Sequence, residues 1–164
     1  MLFPKKMVHR VTEISPQYLQ EQGIHGLILD IDNTLTTHDN PIPSDGVARW
    51  LDTMRENDIQ MIVLSNNHGP RVEPFAKILG LDYLAEGKKP LPSGFRRCAA
   101  ALNMKREELC IIGDQIFTDV LGARCCGLTA VLVTAINNHN FWLKLRHVAE
   151  LPFIYLARNR RITK

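Results

Sequence analysis

Apolar runs and helical stripes alternate along this chain. Residues 24–31 form an almost continuous apolar run, broken by His25, Gly26 and Asp30, that reads as a strand buried on both faces. Val47, Trp50, Leu51 and Met54 then recur at i, i+3, i+4 and i+7, the stripe of an amphipathic helix, which makes Trp50 a core residue. Ser44 is its predicted N-cap, with Asp45 in the first turn. Residues 59–64 make a second short strand. Val72, Phe75, Ala76 and Leu79 repeat the helical spacing after Gly69-Pro70, and Gly80 closes that helix. A short extended piece at 81–84 comes next, then a stripe of Phe95, Cys98, Ala99 and Leu102. A strand at 109–112, a helix at 117–126 ended by Gly127, and a strand at 128–134 follow. Strands alternating with helices predict βαβ units, and hence a Rossmann-like three-layer α/β sandwich around a mainly parallel sheet. Residues 141–150 have a helical pattern that Pro152 interrupts and that 153–158 can resume.

Composition narrows the class. The 164 residues, 45% hydrophobic and 23% charged, suit one soluble globular domain and exclude a collagen-like, disordered or disulfide-scaffold protein. The longest apolar stretch, residues 128–136, is about half of what a membrane-crossing helix needs. Lys5 and Lys6 are not followed by an apolar segment of the kind a secretory signal carries. The expectation is a cytoplasmic protein. Cys98, Cys110, Cys125 and Cys126 have neither C-x-x-C spacing nor paired histidines, so they are expected to be reduced and, for the most part, buried. Charge is uneven: residues 1–140 hold 14 Lys/Arg against 16 Asp/Glu, whereas residues 141–164 hold six Lys/Arg against Glu150 alone. A basic, aromatic-containing end suits an anionic partner, and equally a solvated terminus.

Ligands of an open parallel sheet bind beyond the carboxyl ends of its strands. There the sequence places Asp30-Ile31-Asp32-Asn33-Thr34, Ser65-Asn66-Asn67, Lys88-Lys89-Pro90 and Gly113-Asp114-Gln115, with Asp119 one helical turn further on. Carboxylates, a hydroxyl and an ammonium thus converge on one edge. Asp32 stands two residues beyond Asp30, where the chain is expected to leave the strand, and the turn-prone Asn33 favours that. Asn66 or Asn67 is expected either to contact substrate or to orient Ser65. His38 and His68 are polar loop residues within reach of a substrate.

In this order the four motifs Asp-x-Asp-x-Thr, Ser, Lys and Gly-Asp-x-x-x-x-Asp resemble the haloacid dehalogenase-like (HAD) phosphatase superfamily. The resemblance implies that Asp30 is a nucleophile forming an aspartyl-phosphate and that Asp32 is the general acid and then base. It further implies that Ser65, Asn66 and Lys89 bind the phosphoryl group. Mg²⁺ would be held by Asp30, the backbone carbonyl of Asp32, and Asp114, with Asp119 beside them. Lys88 competes with Lys89 for the motif lysine. Asp32 argues against dehalogenase chemistry, because the dehalogenases lack the second aspartate.

Asp32 to Ser65 spans 33 positions and Ser65 to Lys89 spans 24, with no room for a cap domain. The expected division is an N-terminal extension at 1–23, a HAD-like core at 24–140 and a basic aromatic helical segment at 141–164. Among capless members, the motifs resemble a bacterial group related to the mitochondrial phosphatidylglycerophosphate phosphatase. The lack of a cap implies an open site that either admits large substrates or is closed by a neighbouring subunit. The second resemblance implies an anionic phospholipid substrate, with the basic aromatic end docking peripherally on the inner membrane face or packing on the core. A nucleic-acid partner is not expected. The alternatives are a soluble sugar, nucleotide or nucleic-acid phosphate as substrate, or a non-catalytic binding protein on the same fold.

Overall fold

A computed structural model describes residues 3–37 and 40–136. Six strands form one sheet: β1 (Lys6–Val8), β2 (Gly26–Leu29), β3 (Gln60–Leu64), β4 (Asp82–Leu84), β5 (Leu109–Gly113) and β6 (Thr129–Val133). Their spatial order is β1-β6-β5-β2-β3-β4, and every neighbouring pair is parallel. β2 therefore lies inside the sheet, with Leu29 opposite Val63 on one side and Ile112 on the other. Such burial is why residues 26–29 are all apolar or small.

Among the described residues, five α-helices cover the two faces: α1 (Pro16–Glu21), α2 (Val47–Glu56), α3 (Gly69–Leu79), α4 (Pro92–Leu102) and α5 (Leu121–Cys126). Leu27, Leu29, Met61 and Val63 point to the face holding Leu19, Trp50, Met54, Val72 and Phe75, from α1, α2 and α3. Ile28, Ile62, Leu64 and Ile111 point to the other, against Phe95, Cys98, Leu102 and Ala123 from α4 and α5. The period-two alternation of each strand thus feeds two separate cores, the three-layer arrangement expected. The connection from β2 to α2 holds no further helix or strand among the described residues, and α3 alone lies between β3 and β4.

Within the N-terminal stretch, Met7 of the edge strand β1 pairs with Leu132, and Leu19 of α1 is fully buried. Two local expectations are corrected. Ser44 is not the N-cap of α2. Gly46 takes that place at φ 81°, while the Ser44 N–H closes the preceding loop onto the Leu35 carbonyl. The segment read as one helix from residue 117 begins instead as a π-helical turn, Ile116–Val120, and becomes α-helical at Leu121. Cys98, Cys110 and Cys126 are buried and Cys125 is exposed; burial pushes the Cys98 and Cys110 thiols up to about 12. His38, the helical pattern at 141–158 and the whole segment 141–164 lie outside the described residues.

Candidate active site

The apolar runs of β2, β3 and β5 each end in a polar cluster on the same edge. β2 stops at Leu29, and Asp30 follows, still pairing its N–H with the Ile112 carbonyl. The chain then turns tightly. Thr34, Leu35 and Thr36 all send their N–H groups back to the Ile31 carbonyl, and Asn33 takes φ 59°. That turn takes the chain off the line of β2 directly after Asp32.

Lys89 is delivered to Asp30 from the far side. Between β4 and α4 the loop passes through Glu86 at φ 51° and Lys88 at φ 53°, conformations that L side chains adopt at a cost. Gly87 and Gly94 permit the close approach. A Cβ on Gly94 would run into the Gly87 carbonyl, and one on Gly87 would press on Leu64 and the Ser65 carbonyl. The result places the Lys89 ammonium 2.6 Å from Asp30 Oδ1 and 2.7 Å from Asp119 Oδ1, with its side chain almost wholly buried. Lys88 is exposed. Of the two candidate lysines, Lys89 is the one in the carboxylate cluster.

Asp114 and Asp119 come from β5 and the π-helical turn. The Gln115 N–H donates to Asp119 Oδ2 at 3.2 Å, tying that carboxylate into the turn. Gly113 leaves space for it, since a Cβ there would overlap the Asp119 carboxylate. Asp30, Asp114 and Asp119 each offer an oxygen within 4.8 Å of the others. Three carboxylates face one ammonium, and the surplus of negative charge suits a hard divalent cation with oxygen ligands. Burial pushes the Asp30 carboxyl up to about 7, with Lys89 pulling it down and the Asp119 carboxylate pushing it further up. For Lys89, burial disfavours the charged form, but Asp119 and then Asp30 hold it above the ordinary lysine value.

Ser65, Asn66 and Asn67 join these pieces. The Ser65 carbonyl accepts from the Gly87 N–H, and the Ser65 hydroxyl oxygen accepts from the Asn67 N–H at 3.1 Å. The Asn66 side chain holds the main chain of Lys89, donating to the carbonyl at 3.0 Å and accepting from the N–H at 2.7 Å. Asn67 donates to Asp32 Oδ2 at 2.5 Å, and Arg71 donates to Asp32 Oδ1 at 2.9 Å. Arg71 escaped the sequence reading, because it sits six residues past Ser65 on the polar side of a helical stripe and carries no motif of its own. His68, exposed on the rim, lies 3.3 Å from Glu86. No helix among the described residues is long and apolar enough to cross a membrane.

Comparison with known proteins agrees with this geometry. Residues 11–127 match the haloacid dehalogenase-like hydrolase family. The chain is 34% identical over 133 residues to the "Probable phosphatase YqeG" of Bacillus subtilis, covering 81% of this chain and 77% of that protein. In fold it is similar to the 4-nitrophenylphosphatase of Thermotoga maritima, with a TM-score of 0.60 at 11% identity over 72% of this chain and 89% of that one. It is likewise similar to the cobalt-bound deoxy-D-mannose-octulosonate 8-phosphate phosphatase of Haemophilus influenzae, with a TM-score of 0.55 at 21% identity over 76% and 75%. With the match spanning most of the chain and the four polar clusters on one sheet edge, the protein belongs to the haloacid dehalogenase-like hydrolases and is a phosphatase of that family.

Proposed function

We propose that the chain hydrolyses a phosphate monoester in two steps through an aspartyl-phosphate at Asp30. The observation that carries this reading is the buried contact of Lys89 with Asp30 and Asp119, beside Asp114, which directly follows β5. Asp30 attacks the phosphorus in line with the ester oxygen, and Asp32 gives that oxygen a proton as it leaves. Asp32 then takes a proton from the water that attacks the acyl-phosphate. Lys89 sets its positive charge beside the transferring group. The Ser65 hydroxyl, accepting from Asn67, keeps its own proton to donate to a phosphoryl oxygen. Asp30, Asp114 and the Asp32 carbonyl, with Asp119 beside them, would hold a divalent cation, for which Mg²⁺ is the reading proposed. Such an ion neutralises phosphoryl charge that would otherwise repel Asp30.

The substrate proposed is a phosphorylated anionic lipid of the phosphatidylglycerophosphate kind. Ile42, Leu91 and Ile136 are 66%, 56% and 41% exposed, and they lie on the segments that follow β2, β4 and β6, the strand ends that also lead into the site. Exposed apolar side chains on that edge of the sheet suit a lipid surface. The six Lys/Arg of residues 141–164 favour an anionic one, at about 1 kcal/mol for each cation close to it. The test is phosphate release from phosphatidylglycerophosphate vesicles and from soluble sugar and nucleotide monoesters, with Mg²⁺ and with chelator. Release from vesicles at a higher kcat/KM supports the lipid reading. Release confined to soluble esters overturns it and leaves the phosphatase reading intact.

A further inference from the structure

We infer that Arg71 and Asn67 form a two-donor clamp that aims the Asp32 carboxylate at the leaving oxygen, making both of them positioning residues for proton transfer. This inference rests on the role proposed for Asp32. Arg71 donates to one Asp32 oxygen at 2.9 Å and Asn67 to the other at 2.5 Å, so rotation of the carboxylate is blocked from both sides. The two donors approach from one structural unit. Asn67 follows Ser65 at the end of β3, and Arg71 lies in the first turn of α3, where its N–H bonds the His68 carbonyl. A cation at a helix N-terminus opposes the helix dipole, so helix stability does not explain an arginine there. An ion pair with a carboxylate only 14% exposed does. The Asn67 main chain is fixed in turn, its N–H on Ser65 Oγ and its carbonyl receiving the Glu86 N–H. Asp32 itself lies beyond the end of β2, bridged to Thr36 across the tight turn at residues 33–35. Two donors on its two oxygens fix the direction of the carboxylate, and small misplacements of catalytic groups cost rate steeply.

The experiment compares kcat/KM for two soluble esters, glycerol 3-phosphate and 4-nitrophenyl phosphate, with Mg²⁺. This ratio reports events up to phosphoryl transfer to Asp30. An alkoxide needs a proton to leave and 4-nitrophenolate does not. Arg71→Met is therefore expected to lose about 10–100-fold on glycerol 3-phosphate and less than about 3-fold on 4-nitrophenyl phosphate. Arg71→Lys should recover part of the loss, and Asn67→Ser should show the same asymmetry if Arg71→Met proves poorly folded. In an Asp32→Asn background, Arg71→Met should cost nothing further, because both act through one carboxylate. Equal losses on the two esters, or a full further loss in that background, would mean that Arg71 contacts substrate directly and overturns the clamp. Asp30→Asn separates the two readings. If it keeps wild-type turnover, the nucleophile assignment and the clamp both fall. If it is inactive while Arg71→Met matches wild type on both esters, the clamp alone falls.

Discussion

The side-chain amide of Asn66 closes a ring of two hydrogen bonds with the main chain of Lys89, 23 residues further along. An asparagine directly after Ser65 thereby sets where the ammonium of another loop stands. Asn66→Ala should remove both part-buried bonds to the Lys89 main chain and destabilise the fold by about 1 kcal/mol. Activity should fall with it through a lower kcat, and Asn66→Asp, which keeps the acceptor but not the donor, should fall between. Thermal melts alongside steady-state kinetics check this.

Asp30→Asn should abolish turnover, by at least about 10⁴-fold, because the amide cannot attack phosphorus. The fold should survive, since Lys89 keeps its contact with Asp119. Circular dichroism and phosphate release on the same sample decide the matter.

Lys89→Met should be severe. It removes the ammonium between two carboxylates that are both buried, and breaking such an arrangement costs about 3–5 kcal/mol. Lys88→Ala, by contrast, removes an exposed side chain and should change stability by no more than about 0.5 kcal/mol. Chemical denaturation of the two variants tests which lysine the cluster depends on.

Metal and pH should be coupled through Asp30. Its carboxyl titrates near 7 in the folded chain against an ordinary value of 3.8, so folding favours the protonated form. The chelated protein should therefore lose stability from this group as pH rises from about 4 to about 7, at up to roughly 1.4 kcal/mol per pH unit, and lose no more above that. A divalent cation competes with that proton, so its stabilisation should grow over the same interval and level off above pH 7. Melting temperatures at pH 5, 6, 7 and 8, with chelator and with Mg²⁺, would show a gap that widens and then holds. A gap independent of pH would contradict the coupling.

Gly113→Ala should displace the Asp119 side chain, into which the new methyl group would project. A loss of about 1–3 kcal/mol is expected, together with weaker Mg²⁺ stabilisation. If only stability falls, Asp119 has no part in holding the cation.

Asp30, Ser65 and Asp114 stand where apolar runs end, so the hydropathy pattern alone put them on one edge. β1 was missed because Lys6–Val8 is a three-residue edge strand facing a single neighbour, too short for a period to register. The roles of Asn66, Asn67 and Arg71 were hidden for another reason. Each depends on a partner 23 to 39 residues distant, and nothing local marks an amide as holding a main chain rather than a substrate. The Ser44 cap failed because Gly46, in a left-handed conformation, delays the helix by one further turn of loop.

β4, only three residues long and at the border of the sheet, is the element from which the Lys89 loop springs. Border strands open at lower free energy than the interior of a sheet. Warming should accordingly inactivate the enzyme some degrees before it melts, with the lysine withdrawn while β2 and β5 are still intact.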